Sequence, residues 1–302
     1  IGCSYGENKK VGNKDCGIPK VYRRNLLINT ISGNEKNATT ITLDMNQNEY
    51  ESEYTKGSWR NQGAGVCVDF HFTKECSVSN LAISGNVKIG LFNKTDSNLC
   101  HVEESENKTG VGGFAARTAN SAGKVTFHEF SLKNIDVYGG TMTGGAIGYI
   151  DGYNNSKRNV TFNNWSIENV NVSKWVNMVG SSGGLVGWNV GYGTLEIKGD
   201  SNKDVNINQL KVTTISSKYE VVTATGKKTS TAAAGGLVGA CDFSGVNIEN
   251  VNANNVTVTG EYVRDIGGLI AGKRNGTNIN INVTSCVLHS IEVNNPKKST
   301  GY

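Results

Sequence analysis

Three sets of residues could do chemistry: a carboxylate pair, a run of Asn-x-Ser/Thr acceptors and the cysteines. Asp151 and Asp242 each lie six residues after the second glycine of a glycine-rich box, Gly144-Gly145 and Gly235-Gly236. If the boxes stack at about 4.8 Å per strand with one strand between them, the two carboxylates stand roughly 10 Å apart. That separation is open to an inverting glycosidase pair. The plainer alternative is two exposed loop acids, a coincidence that 26 acidic residues readily supply.

Ten asparagines precede x-Ser/Thr with x other than proline: Asn37, Asn93, Asn107, Asn154, Asn159, Asn164, Asn171, Asn255, Asn275 and Asn282. Each is a potential N-glycan acceptor. In a chain with 39 Asn, number alone decides little. Position says more, because those inside the repeats described below fall on corners, loops or outward slots. The alternative stays open that corners and outward slots are simply where asparagine goes, since it tolerates left-handed backbone.

Seven cysteines at 3, 16, 67, 76, 100, 241 and 286 make an odd count without a Cys-x-x-Cys. Four histidines form no His-Glu-x-x-His. No zinc site, and no other cofactor, is therefore expected. Cys3 with Cys16, and two of Cys67, Cys76 and Cys100, are the candidate disulfides, all outside the regular repeats. Cys286 fills a slot that other repeats give to Phe, Trp, Leu or Val, which reads as a thiol used as a small hydrophobe.

These residues must be positioned by a repeat. Gly183-Gly184-Leu185-Val186-Gly187 recurs as Gly144-Gly145-Ala146-Ile147-Gly148, Gly235-Gly236-Leu237-Val238-Gly239 and Gly267-Gly268-Leu269-Ile270-Ala271-Gly272, with a weaker copy at Gly112-Gly113. The second glycines lie at 113, 145, 184, 236 and 268, so the repeat advances by 32, 39, 52 and 32 residues. Unequal steps mean loops of different length on a common wall, the longest being Ser216–Ala234. Between boxes runs a second pattern, Val125-x-Phe127-x-x-Phe130-x-Leu132-x-x-Ile135-x-Val137. It returns at Val160, Phe162, Trp165, Ile167, Val170 and Val172, at Val246 to Val258, and at Ile281, Val283, Cys286, Leu288, Ile291 and Val293. Val205, Ile207, Leu210, Val212 and Ile215 fit until Ser217 breaks the last slot.

Apolar residues spaced two then three apart leave one extra residue between each inward pair, which reads as a bend between short strands. The same spacing scatters around a helical wheel and excludes a helix. The predicted fold is all-β, a parallel β-helix solenoid whose glycine boxes make a further wall strand. Residues 1–62 fall off the frame and read as an N-terminal capping region, 63–293 as the solenoid with complete repeats over 112–293, and 294–302 as a polar tail. Val87–Phe92 reads as a degenerate box.

The GG-[LA]-[VI]-G boxes separated by Asn-rich V-x-I-x-N-V segments resemble GLUG-motif repeats, found in bacterial and eukaryotic surface proteins. The resemblance covers roughly 112–293. It implies a right-handed parallel β-helix on the cell exterior, and it carries no catalytic residue.

Charged residues are 19% and the net charge +4, too mild and scattered for a nucleic-acid surface. No apolar run approaches the 18 or so residues of a membrane span. The chain begins at Ile1 without a charged-then-apolar leader, as expected of a processed or truncated product. The function expected is a non-enzymatic extracellular or cell-surface structural or adhesive glycoprotein. It would self-associate end to end as a homo-oligomer or filament and carry N-linked glycans; the loop aromatics Tyr149, Tyr153, Trp175, Trp188 and Tyr192 would either form a strip for surface carbohydrate or protein contact or simply pack their loops. The alternative is a carbohydrate-active β-helix enzyme or carbohydrate-binding module.

Overall fold

The computed structural model describes residues 2–4, 10–11, 14–15, 30–32, 62–70, 72, 75–90, 110–118, 123–150, 157–174, 180–200, 202, 205–216, 221–223, 226–228, 231–242, 245–272 and 280–297. Among them there is no helix, and the strands form four stacked sheets plus two small hairpins. The first sheet contains Gly110–Gly112, Met142–Gly144, Ser181–Gly183, Ala233–Gly235 and Asp265–Gly267, with Gln62–Ala64 and Gly2–Ser4 at its head. The second contains Cys67–Asp69, Ala115–Thr118, Ile147–Ile150, Val186–Val190 and Val238–Asp242. The third runs from Thr30–Ser32 through Glu75–Ser79, Gly123–His128, Arg158–Asn163, Thr194–Lys198 and Gly245–Glu249 to Ile281–Thr284. The fourth runs from Ala82–Gly90 through Ser131–Tyr138, Ser166–Ser173, Ile207–Ile215 and Asn252–Glu261 to Val287–Lys297.

The chain visits the four sheets in turn, and each pass lays its strands parallel to those of the pass before. Among the described residues of these sheets, only Gly2–Ser4 pairs antiparallel, on Gln62–Ala64.

The apolar frame is the core. Every inward residue from Val125 to Val137, from Val160 to Val172 and from Val246 to Val258 is 1% exposed or less. Equivalent residues stand in register: Phe127 pairs with Phe162 and Phe162 with Ile197, while Leu132 pairs with Ile167. The Phe127 and Phe162 rings stack with centroids 4.7 Å apart.

The bends are residues in the left-handed region. One column holds Asn80, Glu129, Asn164, Asn250 and Ser285, with φ between 51° and 56°. A second holds Asn134, Asn169, Gln209, Asn255 and Ser290, with φ between 51° and 61°. Asparagine predominates because its short polar side chain tolerates this backbone.

Several details differ from the sequence reading. The frame of the pass after Trp165 begins at Leu195 and Ile197, which pair with Val160 and Phe162, and Ile207 takes the place of Ile167. Val205 is 38% exposed and lies outside the frame. Val87 and Ile89 belong to the fourth sheet opposite Ile135 and Val137, so Val87–Phe92 is not a glycine box. The head of the glycine column is Gly65, whose N–H donates to the Gly113 carbonyl at 3.1 Å.

Each box straddles the corner between the first and second sheets: Gly144 ends one strand, Gly145 and Ala146 turn the corner, and Ile147 and Gly148 begin the next strand. A Cβ on Gly145 would lie 1.9 Å from the Gly184 carbonyl oxygen, and one on Gly184 2.2 Å from that of Gly236. The glycines permit this close backbone stacking. Leu132 and Leu210 from the fourth sheet pack beneath Gly145 and Gly184.

Of residues 1–62, Gly2–Ser4 and Thr30–Ser32 extend the first and third sheets, and most of the rest lies outside the described residues. The Ser216–Ala234 insertion contains the hairpin Val221–Thr223 with Gly226–Lys228. The polar stretch after Val293 continues in strand as far as Lys297, with Asn294 opposite Thr259.

Candidate functional site: an outward asparagine surface and an exposed last pass

Strand alternation decides which asparagines face out. Asn159 precedes inward Val160, Asn171 lies between inward Val170 and Val172, and Asn282 lies between Ile281 and Val283; all three are exposed. Asn255 is exposed at a left-handed corner. Asn164, at the other corner, is half-buried with its Oδ1 sealed from solvent. Asn37, Asn93, Asn107, Asn154 and Asn275 lie outside the described residues.

These side chains also tie consecutive passes together. Asn171 Nδ2 donates to Asp136 Oδ1 at 2.7 Å, and Asn282 Nδ2 donates to Asn247 Oδ1 at 2.9 Å. Asn159 Oδ1 accepts from the Thr194 N–H at 3.1 Å. An N-linked sugar replaces one of the two Nδ2 hydrogens. Asn171 and Asn282 would keep a hydrogen for their ladder bonds, and Asn159 uses its oxygen, so glycan and ladder are chemically compatible.

The carboxylate pair takes a different form from the one expected. Asp242 is on the strand Val238–Asp242, fully buried, and its Oδ2 accepts the Trp188 indole N–H at 3.1 Å. It is not an exposed loop acid, and its carboxylate braces the second sheet across neighbouring passes. Asp151 lies outside the described residues. Two of the aromatics are packed rather than displayed: Tyr149 is 1% exposed and meets half-buried Trp188 edge-on with ring centroids 6.1 Å apart, in a small cluster with Met142 and Val190 separate from the main core. Tyr192 remains exposed, while Tyr153 and Trp175 lie outside the described residues.

Cys76 occupies the inward slot opposite Val125 as a half-buried free thiol, and desolvation pushes its pKa up to about 11. Cys67 pairs with Ala115 on the second sheet. Cys3 lies on the strand Gly2–Ser4, and its candidate partner Cys16, like Cys100, lies outside the described residues. Cys286 is a half-buried free thiol whose Sγ donates to the Thr284 carbonyl at 3.3 Å, less enclosed than its place in the frame implies.

That difference belongs to the whole last pass. Ile281, Val283, Leu288 and Val293 repeat the positions of Val246, Ile248, Ala253 and Val258. The earlier four are at most 1% exposed, whereas the later four are 44%, 47%, 44% and 44% exposed. Val287 adds another apolar side chain at 48%.

A buried polar seam was not anticipated. Thr141, Thr143, Ser181 and Ser182 are buried on or beside the first sheet and Thr214 reaches them from the fourth, Ser181 Oγ donating to the Gly187 carbonyl at 2.6 Å and Thr214 Oγ1 to the Ala233 carbonyl at 3.1 Å. Nothing in an isolated Thr-x-Thr or Ser-Ser marks it as buried; the available signal is the place of Thr143 and Ser182 immediately before the boxes at Gly144 and Gly183.

No family model, curated protein or solved structure matches the chain.

Proposed function

We propose that this chain is a non-enzymatic structural or adhesive glycoprotein of the cell exterior, built on a right-handed parallel β-helix of the GLUG-repeat kind and self-associating through an end of its stack. The four-sheet order, repeated pass after pass in one direction, supports the β-helix, and parallel crossovers take the right hand. The observation that carries the functional reading is the placement of Asn159, Asn171, Asn255 and Asn282. Each is exposed, each has a glycosylation-compatible environment, and between them they occupy two sheets and a corner. The surface they cover is lined with stacked polar side chains such as Asn134 with Asn169 at 2.8 Å, which suits a stiff rod displaying sugars.

The test is intact-mass measurement on protein from its native source before and after enzymatic removal of N-glycans. A loss of several sugar chains, mapped to these asparagines, is expected. An unchanged mass overturns the glycoprotein reading and with it the assignment to the exterior.

A further inference from the structure

The glycan acceptors inside the stack share one build. In Asn159-Val160-Thr161, Asn164-Trp165-Ser166, Asn171-Val172-Ser173 and Asn255-Val256-Thr257 the middle residue belongs to the core and is at most 1% exposed. The asparagine and the hydroxyl residue stand outside it or at its corner. Asn171 to Ser173 pairs with Asp136 to Tyr138 on one side and with Lys211 to Thr213 on the other. Thr161 pairs with Thr126 and with Glu196. An Asn-x-Ser/Thr acceptor is ordinarily a feature of a surface loop, whereas these are built into a wall.

We propose that these tripeptides take their sugars only before their own pass is laid into the stack: the folded wall can carry an N-glycan and cannot accept one. In the transfer, the asparagine Nδ2 bonds to the anomeric carbon of an oligosaccharide carried on a polyprenyl diphosphate. The bond from that carbon to the diphosphate oxygen breaks, the diphosphate leaves with the bonding pair, and Nδ2 gives up one proton. The enzyme must hold the carboxamide and the hydroxyl two residues on in one cleft while this happens. At Asn159 and Asn171 the two side chains are spread along an extended backbone, roughly 7 Å apart. Gathering them lifts Val160 or Val172 out of the core, and at Asn164 and Asn255 it lifts Trp165 or Val256.

The reacting atoms are also engaged. Asn171 Nδ2 donates to Asp136 Oδ1, and Thr161, 6% exposed, donates its hydroxyl to Glu196 Oε2 at 3.2 Å. The partners of Asn159 and Thr161, Thr194 and Glu196, come 35 residues later in the chain. At about 5–20 residues per second of synthesis, that leaves a window of about 2–7 s. Asn171 closes sooner, because Asp136 precedes it by 35 residues and is in place when its strand docks.

The inference rests on the glycoprotein reading above and fails separately from it. The full chain, made in cells without N-glycosylation and folded, is offered to a single-subunit oligosaccharyltransferase with a polyprenyl-diphosphate oligosaccharide. Synthetic peptides spanning 155–177 and 250–262 are the unfolded acceptors, and peptide mass spectrometry reads each asparagine. The peptides should be modified at Asn159, Asn164, Asn171 and Asn255. The folded chain should be modified there roughly tenfold or more slowly, since the enzyme meets only the rarely opened strand. A folded chain modified at a rate within that factor of the peptides overturns the inference and leaves the glycoprotein reading standing. Peptides refused at all four positions overturn the inference as well, because the asparagines would then be acceptors at no stage. Native protein without sugars would overturn the reading and the inference together.

Discussion

Leu288 stands one pass beyond Ala253 in the same register, yet it is 44% exposed while Ala253 is fully buried. The two side chains occupy the same frame position and the same sheet. What separates them is the next strand: Ala253 has one on either side, and Leu288 is in the last strand of its sheet among the described residues. Burial here depends on neighbours along the stack, which is the one-dimensional energetics of repeat architectures.

The glycine column gives the sharpest steric prediction. Gly184→Ala places a methyl 2.2 Å from the Gly236 carbonyl oxygen, backbone against backbone, whereas Gly245→Ala meets nothing nearer than 3.7 Å. Gly184→Ala should cost about 1–3 kcal/mol or more, and Gly245→Ala should stay within about 0.5 kcal/mol. Thermal unfolding of the two variants side by side checks this; equal melting temperatures would contradict the close stacking.

Trp165 is fully buried, and its indole N–H has no hydrogen-bond partner. Trp165→Phe should therefore be mild, about 1 kcal/mol, because it removes an unsatisfied donor while Phe130 shows that phenylalanine fits the preceding pass. Trp165→Asp should abolish folding by burying a charge in the ladder. Near-ultraviolet circular dichroism distinguishes the outcomes.

Asn255→Gln should remove one glycan and leave the fold intact. Gln209 already occupies the same left-handed column with φ 61°, so the backbone accepts glutamine there. Native-cell expression followed by intact-mass and melting measurements should show one sugar chain fewer and little change in stability. Asn164→Gln should be more costly, since the Asn164 Oδ1 is enclosed.

Cys76 should resist alkylation near neutral pH and react as the pH approaches 11. Its thiol pKa is raised on folding, so the neutral form is the one the fold favours. The contribution to stability is complete below the ordinary thiol value of 9.0 and is lost as pH rises towards about 11. Rapid labelling of Cys76 at pH 8, read by peptide mass spectrometry, would show that it is not desolvated.

Much of the architecture was legible in the residues, and the reason is local. Spacing of two then three in Val125–Val137 can satisfy only short strands with bends, and the asparagines between them sit where left-handed backbone is needed. The outward places of Asn171 and Asn282 followed from the same alternation. Where the reading slipped, the cause was also local: a frame that repeats every five residues looks the same when shifted by one strand. Val205 and Ile207 therefore passed for the start of a pass that in fact starts at Leu195.

The periodicity of the apolar residues settles that the chain forms stacked strands with an Asn-rich exterior, because inward and outward slots are fixed by backbone alternation within each strand. Contacts between passes are another matter. Asp242 reads as a loop acid until Trp188, 54 residues away, is seen to donate to it. The glycine boxes read as strands until the carbonyl of Gly236 is found above Gly184. Ile281, Val283, Leu288 and Val293 read as core by pattern, and their exposure emerges only when the strands are stacked and no further one covers them among the described residues. Pattern assigns each side chain a direction; whether anything lies in that direction depends on residues 32 to 54 positions away, and so on the assembled fold.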